Sequence, residues 1–294
     1  MRLWSYALVV VAERDVRLDD GRTVHAYDTG ALDADGIAVV WHHGSPQTGA
    51  VLEPLLAAAA DRNIRMLSYG CPSYGGSSPQ PGRTVASAAA DVAQIADAHG
   101  VHQFAVMGAS GGGPHALACA ALFPQRVTAV VSIAGLAPLS GSAFATDPNE
   151  WFYGMASPGG LRSALSGRDA RAQYAARDAF DPKSFTEADW TALSESWASL
   201  GADVARSENF GVDGLIDDDV AFVSPWGFKL QQISARVLIV QGGQDRVVPP
   251  THSMWLLNGC RQAELWLRPR DGHISVLDAC PVAMDWLRDA VGRH

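Results

Sequence analysis

The stretch QFAVMGASGGGPHALACAALFP, residues 103–124, decides the fold. It opens with an apolar run of strand length (103–109), turns on glycines and one serine, and continues from residue 113 with the alanine-rich spacing of a helix. The turn itself, Gly108-Ala109-Ser110-Gly111-Gly112, fits G-x-S-x-G in the strand–turn–helix setting that the motif requires. A serine held in so sharp a turn brings neighbouring backbone close, and side chains at 108 or 112 would collide there. The turn pushes the Ser110 hydroxyl out at the carboxyl end of a sheet, over a helix N-terminus that favours negative charge. Ser110 is therefore the candidate nucleophile.

Outward from this turn, strands and helices alternate. The chain begins as a hairpin, ALVVVAERDVRL (7–18), the turn DDG and RTVHAYDTG (22–30), rich in β-branched and aromatic residues. The opening MRLWSYALVVVAER has too short an apolar part and no small-residue cleavage pattern, so it reads as an ordinary first strand rather than a signal peptide. Strands are expected at 36–43, 64–70, 103–109 and 126–135, and helices at 49–62, 84–100 and 113–124. From about Pro138 to Trp226 the alternation stops, leaving helical pieces, five aromatics (Trp151, Phe152, Tyr153, Trp190, Trp197) and the acidic run Asp217-Asp218-Asp219. It resumes with a strand at 235–243, a helix near 250–259, a strand at 263–269 and a final helix at about 274–291. Near-continuous apolar strands separated by helices imply an α/β fold with a mostly parallel sheet of about eight strands, covered on both faces. The core is read as 1–137 and 227–294, with 138–226 a helical insertion.

A serine hydroxyl is a poor nucleophile until a base takes its proton, so a histidine and an orienting acid should follow. GGQDRVVPP places Asp245 just beyond one strand, and RDGHISVL places His273 just beyond the next. Open α/β sheets gather their ligands at such strand ends. The chain order Ser110, Asp245, His273 is the one expected for this kind of elbow. Asp271 is a rival acid, but two residues from His273 it could reach the ring only in a cramped local geometry.

HHGSPQTG, residues 42–49, ends the third strand and admits three readings: a metal site on His42 and His43, a plain turn, or a loop whose backbone N–H groups face a substrate oxygen. The elbow selects the third. Attack on a carbonyl creates an oxyanion that needs two preorganised donors, and the N–H groups of Gly111 and Ser45 are the candidates. Gly44 lets the backbone turn close to the substrate, Pro46 fixes the exit, and His43 braces the loop by hydrogen bonding. Zinc is disfavoured, because adjacent histidines lack a third ligand at a credible spacing.

The bulk numbers fit a loop-rich globular protein. The 294 residues are 48% hydrophobic and 18% charged, with a formal net charge of −9 and no basic cluster, which argues against nucleic acid. Cys71, Cys119, Cys260 and Cys280 show no C-x-x-C spacing and read as reduced thiols of a cytoplasmic protein. With no run of 18 or more apolar residues, no membrane span is expected. The partner is a small-molecule substrate, and neither a cofactor nor a metal is called for.

The chain resembles the α/β-hydrolase fold family along nearly all its length. The resemblance rests on His43-Gly44, the elbow around Ser110, the acid in GGQDRVVP and the Gly272-His273 pair. It implies that 138–226 is the family's helical cap, with Trp151, Phe152 and Tyr153 suited to a pocket mouth, so that the cap governs substrate choice and not the chemical step. SYGCPSYGGSS (68–78) is similar to the loop after the fourth strand, but has Tyr69-Gly70-Cys71 where many members carry an Asp and an Arg. The leading expectation is a serine hydrolase cleaving an ester or related acyl bond of a small, fairly apolar substrate. Dehalogenases and epoxide hydrolases of this fold carry an aspartate where Ser110 stands. The alternatives are a prolyl-aminopeptidase-like enzyme using Glu150, Glu195 or Glu208 for an amino group, a carbon–carbon bond hydrolase, a cofactor-free perhydrolase, and a non-catalytic ligand receptor.

Overall fold

In the computed structural model, which describes residues 10–30, 35–139, 147 and 149–292, eight strands form one sheet in the order β1-β2-β4-β3-β5-β6-β7-β8. The strands are β1 (Ala12–Arg17), β2 (Thr23–Asp28), β3 (Ile37–His42), β4 (Ile64–Tyr69), β5 (Phe104–Ala109), β6 (Val127–Ile133), β7 (Arg236–Gly242) and β8 (Ala263–Arg268). β1 pairs antiparallel with β2, and β2 antiparallel with β4; every other pairing is parallel. The signal-peptide question and the first part of the hairpin fall on residues 1–9, outside the described residues.

The period-2 pattern of the central strands divides the core in two. Val40 of β3, Val106 of β5 and Ile239 of β7 join one apolar cluster, while Val39, Met107 and Leu238 join the other. α1 (Glu53–Ala60) and α10 (Cys280–Val291) bury Leu55 and Leu287 in the second cluster. α2 (Ser87–Ala98), α3 (Gly112–Leu122) and α9 (Pro250–Gly259) bury Ile95, Leu117 and Leu256 in the first. Because both faces are covered, the strands need no polar side.

Three helices start later than the sequence suggests; α2 begins at Ser87 rather than 84. α1 begins at Glu53 rather than near 49, since Leu52 is extended and Pro54 pre-sets the first turn. Gly49 sits at φ +95° against the backbone of Tyr69 and Gly70, where no helix continues. α10 likewise begins at Cys280, with Pro281 in its first turn, after a 3-10 turn over Ser275–Ala279.

Between β6 and β7 the described residues form helices without a sheet strand: α4 (Gly159–Ala164), α5 (Arg168–Ala175), α6 (Glu187–Ser194), α7 (Ala198–Ser207) and α8 (Asp213–Val223). This insertion rests on both apolar clusters, through Phe222 and Trp226 in one and Trp197 and Leu200 in the other.

Of the three aromatics expected at a pocket mouth, Trp151 and Phe152 are instead buried in the core, and Tyr153 is exposed. Trp151 is 0% exposed, its indole N–H donates to the Ala137 carbonyl (2.8 Å), and its ring meets His252 edge-on. Phe152 is buried beside it beneath the Arg162 guanidinium. Tyr153 is 78% exposed. The aromatic pair is consumed in fastening the insertion to the core, since a buried indole needs its own acceptor.

Trp151→Ala should therefore lower unfolding stability by about 3–5 kcal/mol, as for other large core truncations. Tyr153→Ala should stay within about 0.5 kcal/mol of wild type. Denaturant unfolding of both variants checks this; equal small effects would contradict the assignment of Trp151 to the core.

Candidate active site

At the end of β5 the chain turns at Ser110 with φ +53°, a left-handed conformation that a side-chain-bearing residue adopts only under constraint. Its N–H donates to Ile133 O (2.8 Å) and its carbonyl accepts from Gly113 N–H (3.0 Å). A Cβ on Gly108 would strike the Gly112 carbonyl, and one on Gly112 would strike the carbonyls of His42 and His43. Both glycines are thus required, as the motif implies.

The loops after β7 and β8 deliver the other two residues. A Cβ on Gly242 would collide with the Gly272 carbonyl, so these loops touch backbone to backbone. Asp245 is buried, and its Oδ1 accepts from Val247 N–H (2.8 Å) and Val248 N–H (2.9 Å). Its Oδ2 takes the His273 Nδ1–H at 2.8 Å, and His273 Nε2 lies 3.0 Å from Ser110 Oγ. The structure therefore joins Ser110, His273 and Asp245 in one hydrogen-bonded line. Asp271 points elsewhere, pairing with Arg268. Burial opposes protonation of His273, but the Asp245 carboxylate, with a smaller contribution from Asp189, outweighs it and raises the ring above the ordinary histidine value.

The loop after β3 lies against the elbow. A Cβ on Gly44 would press on Ala109 O and the Ser110 side chain, each at 3.3 Å, so glycine permits this approach. His43 braces the loop from within: its Nδ1–H donates to Gly44 O (2.8 Å) and its Nε2 accepts from Cys71 N–H (3.0 Å). Among the described residues, neither the Ser45 nor the Gly111 N–H has a protein acceptor. His42 turns the other way, toward the Tyr69 hydroxyl (3.2 Å) and Cys119 Sγ (3.6 Å). Among the described residues no cluster of three or more histidine, cysteine or acidic side chains could hold a metal ion.

Several neighbours escaped the sequence reading. The Phe222 ring of α8 packs against Gly111, where a Cβ would lie 3.0 Å from it, so Phe222 is an apolar wall beside Ser110 in place of the 151–153 aromatics. Asp189, Asp203 and Asp218 of the insertion are buried, as is Arg83. In sequence they look like ordinary helix and loop charges; the one signal was Asp218-x-x-x-Phe222, an i,i+4 pair sharing a helix face. Glu150, Glu195 and Glu208, considered for an amino-group site, are all exposed.

Residues 37–279 match the family described as alpha/beta hydrolase fold. A 2-hydroxy-6-oxononadienedioate/2-hydroxy-6-oxononatrienedioate hydrolase of Cupriavidus pinatubonensis is 28% identical over 270 residues, covering 88% of each chain. A putative carbamate hydrolase, RutD, of Variovorax paradoxus is 25% identical over 88% of this chain and 93% of its own. Among solved structures, the enol-lactonase of Burkholderia xenovorans superposes with a TM-score of 0.68 at 18% identity, over 95% of this chain and 100% of its own, a likeness of fold. No helix among the described residues is long and apolar enough to cross a membrane. The chain belongs to the alpha/beta hydrolase fold family and is a hydrolase of that family.

Proposed function

We propose that the protein is a serine hydrolase that cleaves an ester or related acyl bond of a small substrate. The observation that carries this reading is the line Ser110 Oγ–His273 Nε2 (3.0 Å) and His273 Nδ1–Asp245 Oδ2 (2.8 Å). In it Ser110 attacks the carbonyl carbon while His273 Nε2 takes the hydroxyl proton. The resulting oxyanion is held by the N–H groups of Ser45 and Gly111. His273 then gives the proton to the leaving group, and an acyl-Ser110 intermediate remains. Water attacks it, with His273 accepting the water proton and returning it to Ser110, which releases the acid. The helical insertion, read as the cap, sets Phe222 beside this centre, which suits an apolar acyl or leaving group.

One observation favours a second reading, hydrolysis of a carbon–carbon bond beside a keto group by the same residues. The 28%-identical relative is named for a 6-oxo acid. Turnover of a 2-hydroxy-6-oxo dienoate well above that of any activated ester would favour it.

Three outcomes are expected. A fluorophosphonate probe should label the wild-type chain with the adduct on Ser110; an adduct on another residue in active enzyme contradicts the reading. Asp245→Asn should lose up to about 10⁴ in turnover, because the imidazole is left in the wrong tautomer. Asp271→Asn should change kcat less than about threefold, since an exposed pair contributes little; the reverse ranking would overturn the assignment. Finally, a histidine base must be neutral to act, and His273 is raised above the usual value of about 6.5. kcat/KM should therefore climb with pH through a midpoint above about 6.5 and then level off. A rate that falls between pH 6 and 8 is incompatible with this base.

A further inference from the structure

Three buried aspartates of the insertion reach into the loops that carry the proposed chemistry. Asp218 of α8, 1% exposed, accepts the Ser45 hydroxyl (2.5 Å) and the Tyr74 hydroxyl (2.9 Å) on Oδ2, and the Arg83 guanidinium (2.7 Å) on Oδ1. Asp203 of α7 takes both the N–H (2.9 Å) and the hydroxyl (2.6 Å) of Thr48, at the far end of the same loop. Asp189 of α6, 0% exposed, receives on Oδ1 the Ile274 N–H (2.8 Å), the Ser275 N–H (2.8 Å) and the Ser275 hydroxyl (2.9 Å). Its Oδ2 accepts from the N–H and hydroxyl of Thr186, each at 2.9 Å. A Cβ on Gly272, the residue before His273, would collide with this carboxylate, so the approach requires glycine there.

These contacts differ from the packing that merely seats a lid. Each carboxylate is directed at backbone or hydroxyl donors within a few residues of Ser45 or His273. We propose that the insertion is part of the catalytic frame, with Asp218 and Asp189 acting as positioning residues, the first for the oxyanion loop at Ser45 and the second for the loop that carries His273. The proposal rests on the serine-hydrolase reading above, and it changes the expectation that the insertion affects substrate choice alone.

With its hydroxyl hydrogen committed to Asp218, Ser45 is left with the backbone N–H to offer a substrate oxygen. The anion so close to a forming oxyanion is compensated: although burial opposes it, Arg83 holds Asp218 below the usual carboxylate range. Asp189, by contrast, is met by neutral donors. Burial opposes its charge too, but the N–H and hydroxyl groups of Ser275 and Thr186 keep it low. It is also the second carboxylate acting on His273, after Asp245. A residue out of place by about 1 Å can cost about 10²-fold in rate, so loops that carry donors and bases need such fixing.

The test compares Asp218→Asn, Asp189→Asn, Ser110→Ala and Asp219→Asn in the full chain on p-nitrophenyl esters. Asp219 is the internal control: it is buried in the same acidic run but pairs with Arg171 of α5, inside the insertion (2.6 Å). Asp218→Asn should lower kcat about 10- to 100-fold with KM within about twofold, and weaken inhibition by a trifluoromethyl ketone, an oxyanion mimic, by a similar factor. Asp189→Asn should lower kcat comparably. It should also move the midpoint of the pH–rate profile to lower pH, because removing a nearby negative charge makes the imidazole easier to deprotonate. Asp219→Asn should leave all three readouts unchanged. If either aspartate variant does not fold, Ser45→Ala and Ser275→Ala remove the partner instead and should lower kcat in the same direction, Ser45→Ala weakening the inhibitor as well, while Ser275→Ala, which keeps the Asp189 charge, leaves the pH midpoint in place. Folded variants with wild-type kcat, inhibitor affinity and pH midpoint would overturn the proposal. Ser110→Ala retaining turnover would instead overturn the serine-hydrolase reading beneath it.

Discussion

The whole site depends on one close approach of backbone to backbone. Where α3 begins, Gly112 lies against the carbonyls of His42 and His43 at the end of β3, with no room for a Cβ. That contact joins the elbow to the neighbouring strand's loop. It fixes where Ser110 emerges, and Gly44 then brings the Ser45 loop against the same residue. Gly242 and Gly272 repeat the device between β7 and β8, setting Asp245 and His273 at hydrogen-bonding distance. Glycine acts at these places as a spacer of zero size, and its cost in chain entropy is accepted where two main chains must meet.

The same logic extends to charge. The molecule buries several carboxylates at its functional end, and Asp245, Asp189 and Asp218 are each met by three or more donors. Asp245 is held by two backbone N–H groups and His273; Asp189 by five N–H and O–H donors; Asp218 by Arg83 and two hydroxyls. Asp219, whose partner is Arg171, is pushed up to about 6, because burial outweighs the single ion pair. Asp218 and Asp219, adjacent in sequence, differ because the Arg83 charge, with the Ser45 hydroxyl, outweighs burial at the first, whereas burial and the neighbouring Asp218 and Asp178 charges outweigh Arg171 at the second.

Much of the fold was legible because it follows local rules. The apolar runs of 36–43, 103–109 and 235–243 alternate between the two clusters, and G-x-S-x-G in a strand–turn–helix setting has few other uses. The order Ser110, Asp245, His273 followed from strand ends, and the structure brings all three together. The run Asp217-Asp218-Asp219 was opaque, because a helical acid carries no local sign of burial: its partners Arg83, Arg168 and Arg171 lie tens of residues away. Trp151 and Phe152 misled for a related reason, since an aromatic suited to a pocket mouth suits a core equally well, and only a partner such as His252 decides between them. The insertion was therefore visible as helices, while its grip on the core loops was not.

The most direct measurement of the central claim is a crystal structure of the chain with a phosphonate bound covalently at the site. The expected result is a bond from Ser110 Oγ to phosphorus, with the phosphoryl oxygen about 2.7–3.1 Å from both the Ser45 and Gly111 backbone nitrogens. His273 Nε2 should face the leaving-group side while keeping its contact with Asp245. A phosphoryl oxygen turned away from both N–H groups, or a His273 ring separated from Asp245 in the adduct, would contradict it.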